Sequence, residues 1–284
     1  MSANVPTVPF VKASACGNSF LLIEGKFAPS DIAAFSRQIC DRNDGVGADG
    51  VEWMFPHASA DVEIRLVNAD GSEAEISGNG TRCVAAYLSA GKNRAGKAGA
   101  EPGKEKITIQ TGAGLKTCTL LGQRGPEYEF EIEMGEAVVE KELSLHVGSD
   151  AQQQPVRGIP VSMGNPHYVI FVSEFDRNWQ AEAAKIQRNE YFKHGVNVEL
   201  VSVEGEHDIA VRFFERGVGE TQSSGTGSCA SAVAAIAIGR AQSPVQVHAL
   251  GGTQTVRQEG SVVFLRGAAR LVCRGEFFLD ELLR

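Results

Sequence analysis

Apolar positions recur along the chain in two rhythms. Val62–Val67 alternates Val, Ile and Leu with Glu and Arg, as a strand buried on one face does. Phe20–Ile23, Ile107–Thr111, Tyr128–Glu133, Tyr168–Val172, Val198–Val203, Ile209–Phe214 and Val262–Leu265 predict further strands. From Ser30, read as an N-cap, to Cys40 the spacing turns helical, with Ile32, Phe35 and Ile39 on one side. Trp179–Arg188 predicts a counterpart helix. Two other segments, "TRCVAAYLSAG" behind Ser77 and "SCASAVAAIAIG" behind Ser224, are small and apolar nearly all round. A helix without a polar face belongs inside a domain, and Gly91 and Gly239 are its expected stops. The charge-rich stretch Gly91–Lys106 predicts a solvated loop rather than a helix.

These elements repeat. At an offset of 147, "GNSFLLIE" (from Gly17) falls on "GNPHYVIF" (from Gly164), and "GVEWM" (from Gly50) on "NVELV" (from Asn197). "VEIRLVN" (from Val62) likewise falls on "IAVRFFE" (from Ile209), and "SGNGT" (from Ser77) on "SGTGS" (from Ser224). Matches in one order with no net insertion between them predict two copies of one fold. The expected class is α+β: two pseudo-symmetric domains, each a mostly antiparallel sheet or barrel wrapped around a central buried helix. The expected division is 1–124 and 125–271, with 272–284 a candidate addition to the first half.

Composition narrows the function. The 284 residues are 43% hydrophobic and 22% charged with a net charge of −8, which argues against nucleic-acid and membrane partners that reward basic patches. Cysteines at 16, 40, 83, 118, 229 and 273 form no Cys-x-x-Cys, so no metal site is expected and buried thiols are. The N-terminal "MSANVPTVPFVKAS" has no signal-peptide pattern, and the longest apolar run, Ala232–Ile238, is too short to span a bilayer. The expectation is a cytoplasmic protein with a small-molecule partner. A homodimer is left open.

In both halves a polar strand end, Asn68 or Glu215, is followed nine residues later by Ser-Gly-x-Gly at the start of the buried helix. A capping Ser with turn-forming glycines accounts for one copy. It does not account for the same acidic, Gly-rich lead-in twice. A helix start carries N–H donors and the positive end of the dipole, which suits an anion. Two such starts related by a pseudo-two-fold would approach one ligand from opposite sides. Inverting a carbon stereocentre needs that arrangement, with a base on one face and an acid on the other.

The motifs "NADGSEAEISGNGTR", "GNPHYVIFV", "GVNVELV" and "ERGVGETQSSGTGS", with "SACGNSFLLIEG" and "DRNDGVGADGVE", resemble the diaminopimelate epimerase family from about Phe10 to Gly239. The resemblance implies a cofactor-free epimerase of an amino-acid substrate that uses two cysteines as thiolate base and thiol acid. At those two positions this chain has Ser77 and Ser224. Cys83 and Cys229 lie too far into their helices to replace them. The resemblance also implies that His167 and Glu215 support the pair. It places Asn68, Asn165, Asn197 and Arg216 at the distal end of the substrate, and Gly78, Asn79, Gly225 and Thr226 at the reacting carboxylate. Asn18 matches a substrate-contacting Asn, in a setting that differs at Ala15-Cys16 and Ser19. Gly50 stands where some members have a substrate-contacting Gln.

Sulfur matters here. A thiol has a pKa of about 8.5, which a helix start lowers to roughly 3.5–7.5, whereas an unassisted alcohol is nearer water at about 15.7. A gap of ~7 units is roughly 10 kcal/mol, against ~0.3–2 kcal/mol from a helix dipole. Ser in place of the thiolate needs a partner, and His167 and Glu215 are the ones in view. Three readings stay open: a diaminopimelate epimerase with both cysteines replaced, and so of low activity; an epimerase of another amino or small acid with native serines; and a binding protein without turnover.

Overall fold

Strand β3 (Gly50–Phe55) and strand β13 (Asn197–Gly205) show why each half is built in layers. Along both, neighbouring residues point to opposite sides of a sheet, and both sides are covered. On one side of β3, Val51 and Trp53 pack with Phe35 and Ile39 of helix α1 (Ile32–Cys40). On one side of β13, Val198 and Leu200 pack with Ala183 and Ile186 of α3 (Trp179–Gln187). The other side of β13 carries Val201, which joins the cluster around Cys229, Ala230 and Val233 of helix α4 (Gly225–Ala237). α4 and its equivalent α2 (Gly78–Arg94) are the central buried helices.

The structure, a computed structural model, describes residues 5–94, 105–147 and 155–279. The chain divides into two compact units, Met1–Ile132 with Gly267–Arg284, and Glu133–Arg266. The first unit holds β1 (Thr7–Ala15), β2 (Asn18–Glu24), α1, β3, β4 (Val62–Asn68), β5 (Glu73–Ala74), α2, β6 (Lys106–Thr111), β7 (Gly114–Arg124) and most of β8 (Glu127–Glu136). The second holds β9 (Val138–Val139), β10 (Leu143–Leu145), β11 (Val156–Ser162), β12 (Pro166–Phe171), α3, β13, β14 (Asp208–Glu215), β15 (Gly219–Thr221), α4, β16 (Val245–Ala249), β17 (Gly252–Glu259) and the start of β18 (Val262–Phe278). The sequence-based boundary after residue 124 falls at the β7–β8 turn, and the units divide farther on, within β8. The last part of β18 returns to the first unit, where Arg270–Phe278 lies antiparallel to β1.

The repeat is geometric as well as sequential. The parallel pair β2–β3 sets Phe20 beside Gly50, and β12–β13 sets His167 beside Asn197, each 147 residues on. The β4–β5 pairing of Leu66 with Ala74 recurs as Phe213 with Thr221. Helices α1 and α3 keep the same offset at both ends. Beyond the central helices the register changes: β4–β6 pairs Val62 with Ile109, and β14–β16 pairs Ile209 with Val247, so Ile109 meets its equivalent at a shorter offset. The pairs β1–β2, β3–β4, β6–β7, β7–β8 and β13–β14 are antiparallel, as expected.

Three local expectations need correction. The cap of α1 is Asp31, whose carboxylate accepts from Ala34 N–H at 2.8 Å, and not Ser30. Two short polar side chains in succession make either a plausible cap, and the acidic one also meets the positive end of the dipole. Helix α2 passes through Gly91 to Arg94, so the start of the expected 91–106 loop is helical, and 95–104 lie outside the described residues. Glycine lowers helix propensity by only about 1 kcal/mol, and a buried helix overrides that. Gly239 does act as a stop: it takes φ 71°, its N–H bonds to Ile236 O, and Arg240 N–H reaches back to Ala235 O. Among the described residues no helix is long and apolar enough to cross a membrane.

Candidate active site

Each central helix opens on its serine in the same way. Ser77 Oγ accepts from Gly80 N–H at 3.1 Å, and its carbonyl accepts from Thr81 N–H. Ser224 Oγ accepts from Gly227 N–H at 3.2 Å, and its carbonyl from Ser228 N–H. The amides of Gly78 and Asn79, and of Gly225 and Thr226, have no acceptor within their helices, because first-turn N–H groups have no preceding carbonyl to reach. A helix start of this kind suits an anion.

The second glycine of each Ser-Gly-x-Gly has a role the sequence did not reveal. Neither Gly80 nor Gly227 has a positive φ. What excludes a side chain is a buried carboxyl group beneath the helix start. A Cβ on Gly80 would lie 1.9 Å from Glu52 Oε1, and one on Gly227 would lie 2.8 Å from Glu199 Oε1 and 2.9 Å from Phe213 Cδ1. Glu52 and Glu199 are fully buried and occupy equivalent positions in β3 and β13. Gly80→Ala is expected to lose about 1–3 kcal/mol through overpacking, with partial recovery when Glu52→Ala is added; thermal unfolding of the single and double variants tests it.

A second equivalence joins the first residue of β2, and the residue just before β12, to the helix start. Asn18 Oδ1 accepts from Asn79 Nδ2 at 2.7 Å, and Asn165 Nδ2 donates to Thr226 Oγ1 at 3.3 Å. In the first unit this line continues inward, since the buried Arg82 donates to Asn79 Oδ1 and approaches Cys16 Sγ at 3.7 Å. Asn18 and Asn79 are thus held side by side at the mouth of α2, with Ser77. Asn68, at the end of β4, donates from Nδ2 to Ser72 Oγ at 3.0 Å.

In the second unit the expected residues divide into two groups. Glu215 receives Ser224 Oγ–H at 3.2 Å on Oε2 and Thr221 Oγ–H at 2.6 Å on Oε1. His167 belongs to the other group. Its Nδ1 lies 2.7 Å from Glu199 Oε1 and its Nε2 lies 3.0 Å from Asn165 Oδ1. Asn165 presents its oxygen to His167, because its nitrogen faces Thr226; Nε2 therefore donates, and one proton is shared along Nδ1–Oε1. Burial pushes the Glu199 carboxyl up against the opposing pull of His167. Wherever the shared proton sits, the buried pair is net neutral. Both ring nitrogens are engaged, so His167 orients Asn165 rather than contacting Ser224.

Asn197 is buried and held at both ends: Nδ2 donates to Pro166 O, and Oδ1 accepts from Arg216 N–H. Arg216 is exposed, and its guanidinium donates to His194 O at 3.2 Å. Cys83 and Cys229 are fully buried in their helices. The sequence reading does not single out Glu52 and Glu199, although a signal exists: Glu52 is the lone charge of β3, Glu199 interrupts the apolar run Val198–Val201, and the two align in the repeat.

The pattern of the diaminopimelate epimerases matches residues 10–140 and 159–272. The chain belongs to the diaminopimelate epimerase family. Among relatives with that name, the protein of Caldanaerobacter subterraneus subsp. tengcongensis is 36% identical over 94% of this chain and 98% of its own length. That of Pelotomaculum thermopropionicum is likewise 36% identical, with the same coverage. A hydroxyproline epimerase structure from Agrobacterium vitis superposes with TM-score 0.70 at 14% identity, covering 98% of this chain and 93% of that one. A PhzF-family phenazine biosynthesis protein of Bacillus anthracis superposes with TM-score 0.67 at 14% identity, covering 96% and 100%. These likenesses carry the fold. As a diaminopimelate epimerase family member, the chain is an isomerase of the epimerase and racemase type.

Proposed function

We propose that the protein epimerises diaminopimelate without a cofactor, by two-base proton transfer in which Ser77 and Ser224 take the acid and base positions. The observation that carries this reading is the Ser224–Glu215 hydrogen bond at the start of α4. It gives the alcohol a carboxylate acceptor, which an unassisted serine lacks. The α-proton passes to Ser224 Oγ as the Ser224 hydroxyl proton passes to Glu215. The electron pair left on the α-carbon delocalises into the substrate carboxylate, whose charge the helix-start amides at Gly78, Asn79, Gly225 and Thr226 stabilise. Asn18, Asn165 and His167 then position those helix starts. Asn68, Asn197 and Arg216 are assigned to the distal end of the substrate.

One observation favours a second substrate within the same reaction class. Gly50 offers no side chain, and a Cβ there would meet Val67 O at 2.9 Å, so the position supplies no amide to a distal group. Another amino or hydroxy acid is the alternative on that ground. Loss of the α-proton signal in deuterated water, followed by NMR over diaminopimelate and a panel of such acids, separates the two. Glu215→Gln is expected to slow exchange by about 10²-fold or more with little change in apparent binding. An unaltered rate would remove Glu215, and with it the serine-base reading. Thermal stabilisation by ligand without exchange in any variant would identify a binding protein instead.

A further inference from the structure

Glu52 stands in the middle of β3, between Leu22 of β2 and Leu66 of β4, and is fully buried. Neither carboxyl oxygen has a hydrogen-bond partner among the described residues. Its equivalent Glu199 has His167. The position equivalent to His167 in the first unit is Phe20, which offers no polar atom. A lone buried carboxyl group opposes folding, and a Leu would fill the same space without that cost. Its direction is specific. Both Glu52 Oε1 and Ser77 Cβ lie within 3.3 Å of the point where a Cβ on Gly80 would stand, so the carboxyl group is aimed at the start of α2 beside Ser77. At the position where the second unit has Glu215, the first unit has Asn68.

Resting on the reading of Ser77 as a proton-transfer position, we propose that Glu52 is a positioning residue that resupplies Ser77 with its proton. The Ser77 O–H bond breaks as its proton forms the new C–H bond on the face opposite the departing one. The Glu52 O–H proton passes to Ser77 Oγ and leaves Glu52 as a carboxylate. Glu215, meanwhile, holds the proton removed through Ser224. Exchange of both carboxyl groups with water, or the reverse reaction, resets the pair. Burial pushes the Glu52 carboxyl up to about 8, so at neutral pH it holds the proton it is required to give. Glu215 accepts hydrogen bonds from Ser224 and Thr221 and is set up as the acceptor. Two acids in unlike surroundings divide the roles of donor and base. Cys83 of α2 interacts electrostatically with Glu52, and also with Arg82 of α2 and with Cys16 in the β1–β2 turn. Cys83 is held neutral by burial, its thiol pushed well above the usual range.

The test measures α-proton exchange on diaminopimelate against pH for the unmodified chain, Glu52→Gln and Glu52→Leu, each repeated in a Ser77→Cys, Ser224→Cys background. With serines in place, the rate is expected to fall as pH rises through about 8. Glu52→Gln is expected to lower kcat at least tenfold with KM nearly unchanged, and to abolish that alkaline fall. In the cysteine background the same substitution is expected to matter little, because a thiol carries a proton of suitable acidity itself. Full activity and an unchanged pH profile in Glu52→Gln and Glu52→Leu would overturn the proposal. Exchange in the cysteine background but none in the unmodified chain removes the serine-based reaction and this proposal with it, and leaves 77 and 224 as the acid and base positions of the family. Absence of exchange from both backgrounds removes both.

Discussion

Replacing Ser77 and Ser224 together by Cys is expected to raise α-proton exchange on diaminopimelate by at least about 10³-fold. The free-energy gap between a helix-start thiolate and an unassisted alkoxide is roughly 10 kcal/mol. General-base assistance recovers typically 10²–10⁴-fold of it, which leaves the serine chain well behind. The surroundings are ready for sulfur. Ser77 is half-buried, Ser224 is buried, and each accepts a backbone N–H bond from the glycine three residues on, which would stabilise a thiolate. Each single replacement is expected to give a smaller gain, because the remaining serine side becomes the slower step. The measurement is loss of the α-proton signal in deuterated water, with a thermal shift as the independent check on binding. If the doubly replaced protein binds diaminopimelate and exchanges nothing, the assignment of positions 77 and 224 is wrong.

Much of the architecture could be read because duplication turns weak signals into paired ones. A strand at Val62–Val67 is an ordinary inference from alternation. Its recurrence at Ile209–Phe214, with the same register to β5 and β15, is what makes two domains of it. The capping roles of Ser77 and Ser224 were legible for the same reason. What stayed hidden depends on partners that are remote in sequence. Val51-Glu52-Trp53 reads as an interrupted apolar strand, and nothing local says that the glutamate meets a helix start at Gly80. The glycines of Ser-Gly-x-Gly read as turn residues, yet Gly80 and Gly227 are required by carboxyl groups contributed from β3 and β13. His167 reads as a partner for a serine, but its register with Asn197 and its contact with Glu199 commit both nitrogens inside the second unit. The unit boundary lay beyond the sequence for another reason. β8 is one uninterrupted strand across it, and alternation does not change where a strand passes from one set of neighbours to another.

The two buried glutamates give the second large effect, and the repeat makes it a controlled comparison. Glu52→Leu is expected to stabilise the protein, and Glu199→Leu to destabilise it, although the side chains are equivalent. For Glu52 the folded state raises the carboxyl from its ordinary value of 4.5 to about 8, with burial as the cause. Between those values the folded chain keeps a proton that the unfolded chain has released. Stability contributed by this site is therefore whole at pH below 4.5, declines as pH rises, and stays at its lowest above about 8. At about 1.36 kcal/mol per pH unit, the decline between about pH 5 and pH 8 amounts to roughly 3–4 kcal/mol. Glu52→Leu removes that slope, so its advantage over the unmodified chain should widen by this amount across the range. Glu199 shares a proton with His167 at 2.7 Å, and Leu there strands the imidazole in a fully buried position. Removing one member of such a pair costs about 3–5 kcal/mol. Urea unfolding of both variants at the two pH values, with unchanged slope in denaturant, reads the difference directly. Should Glu52→Leu destabilise the chain at high pH as Glu199→Leu does, Glu52 has a buried partner of its own, and its role as a lone acid beside Ser77 falls.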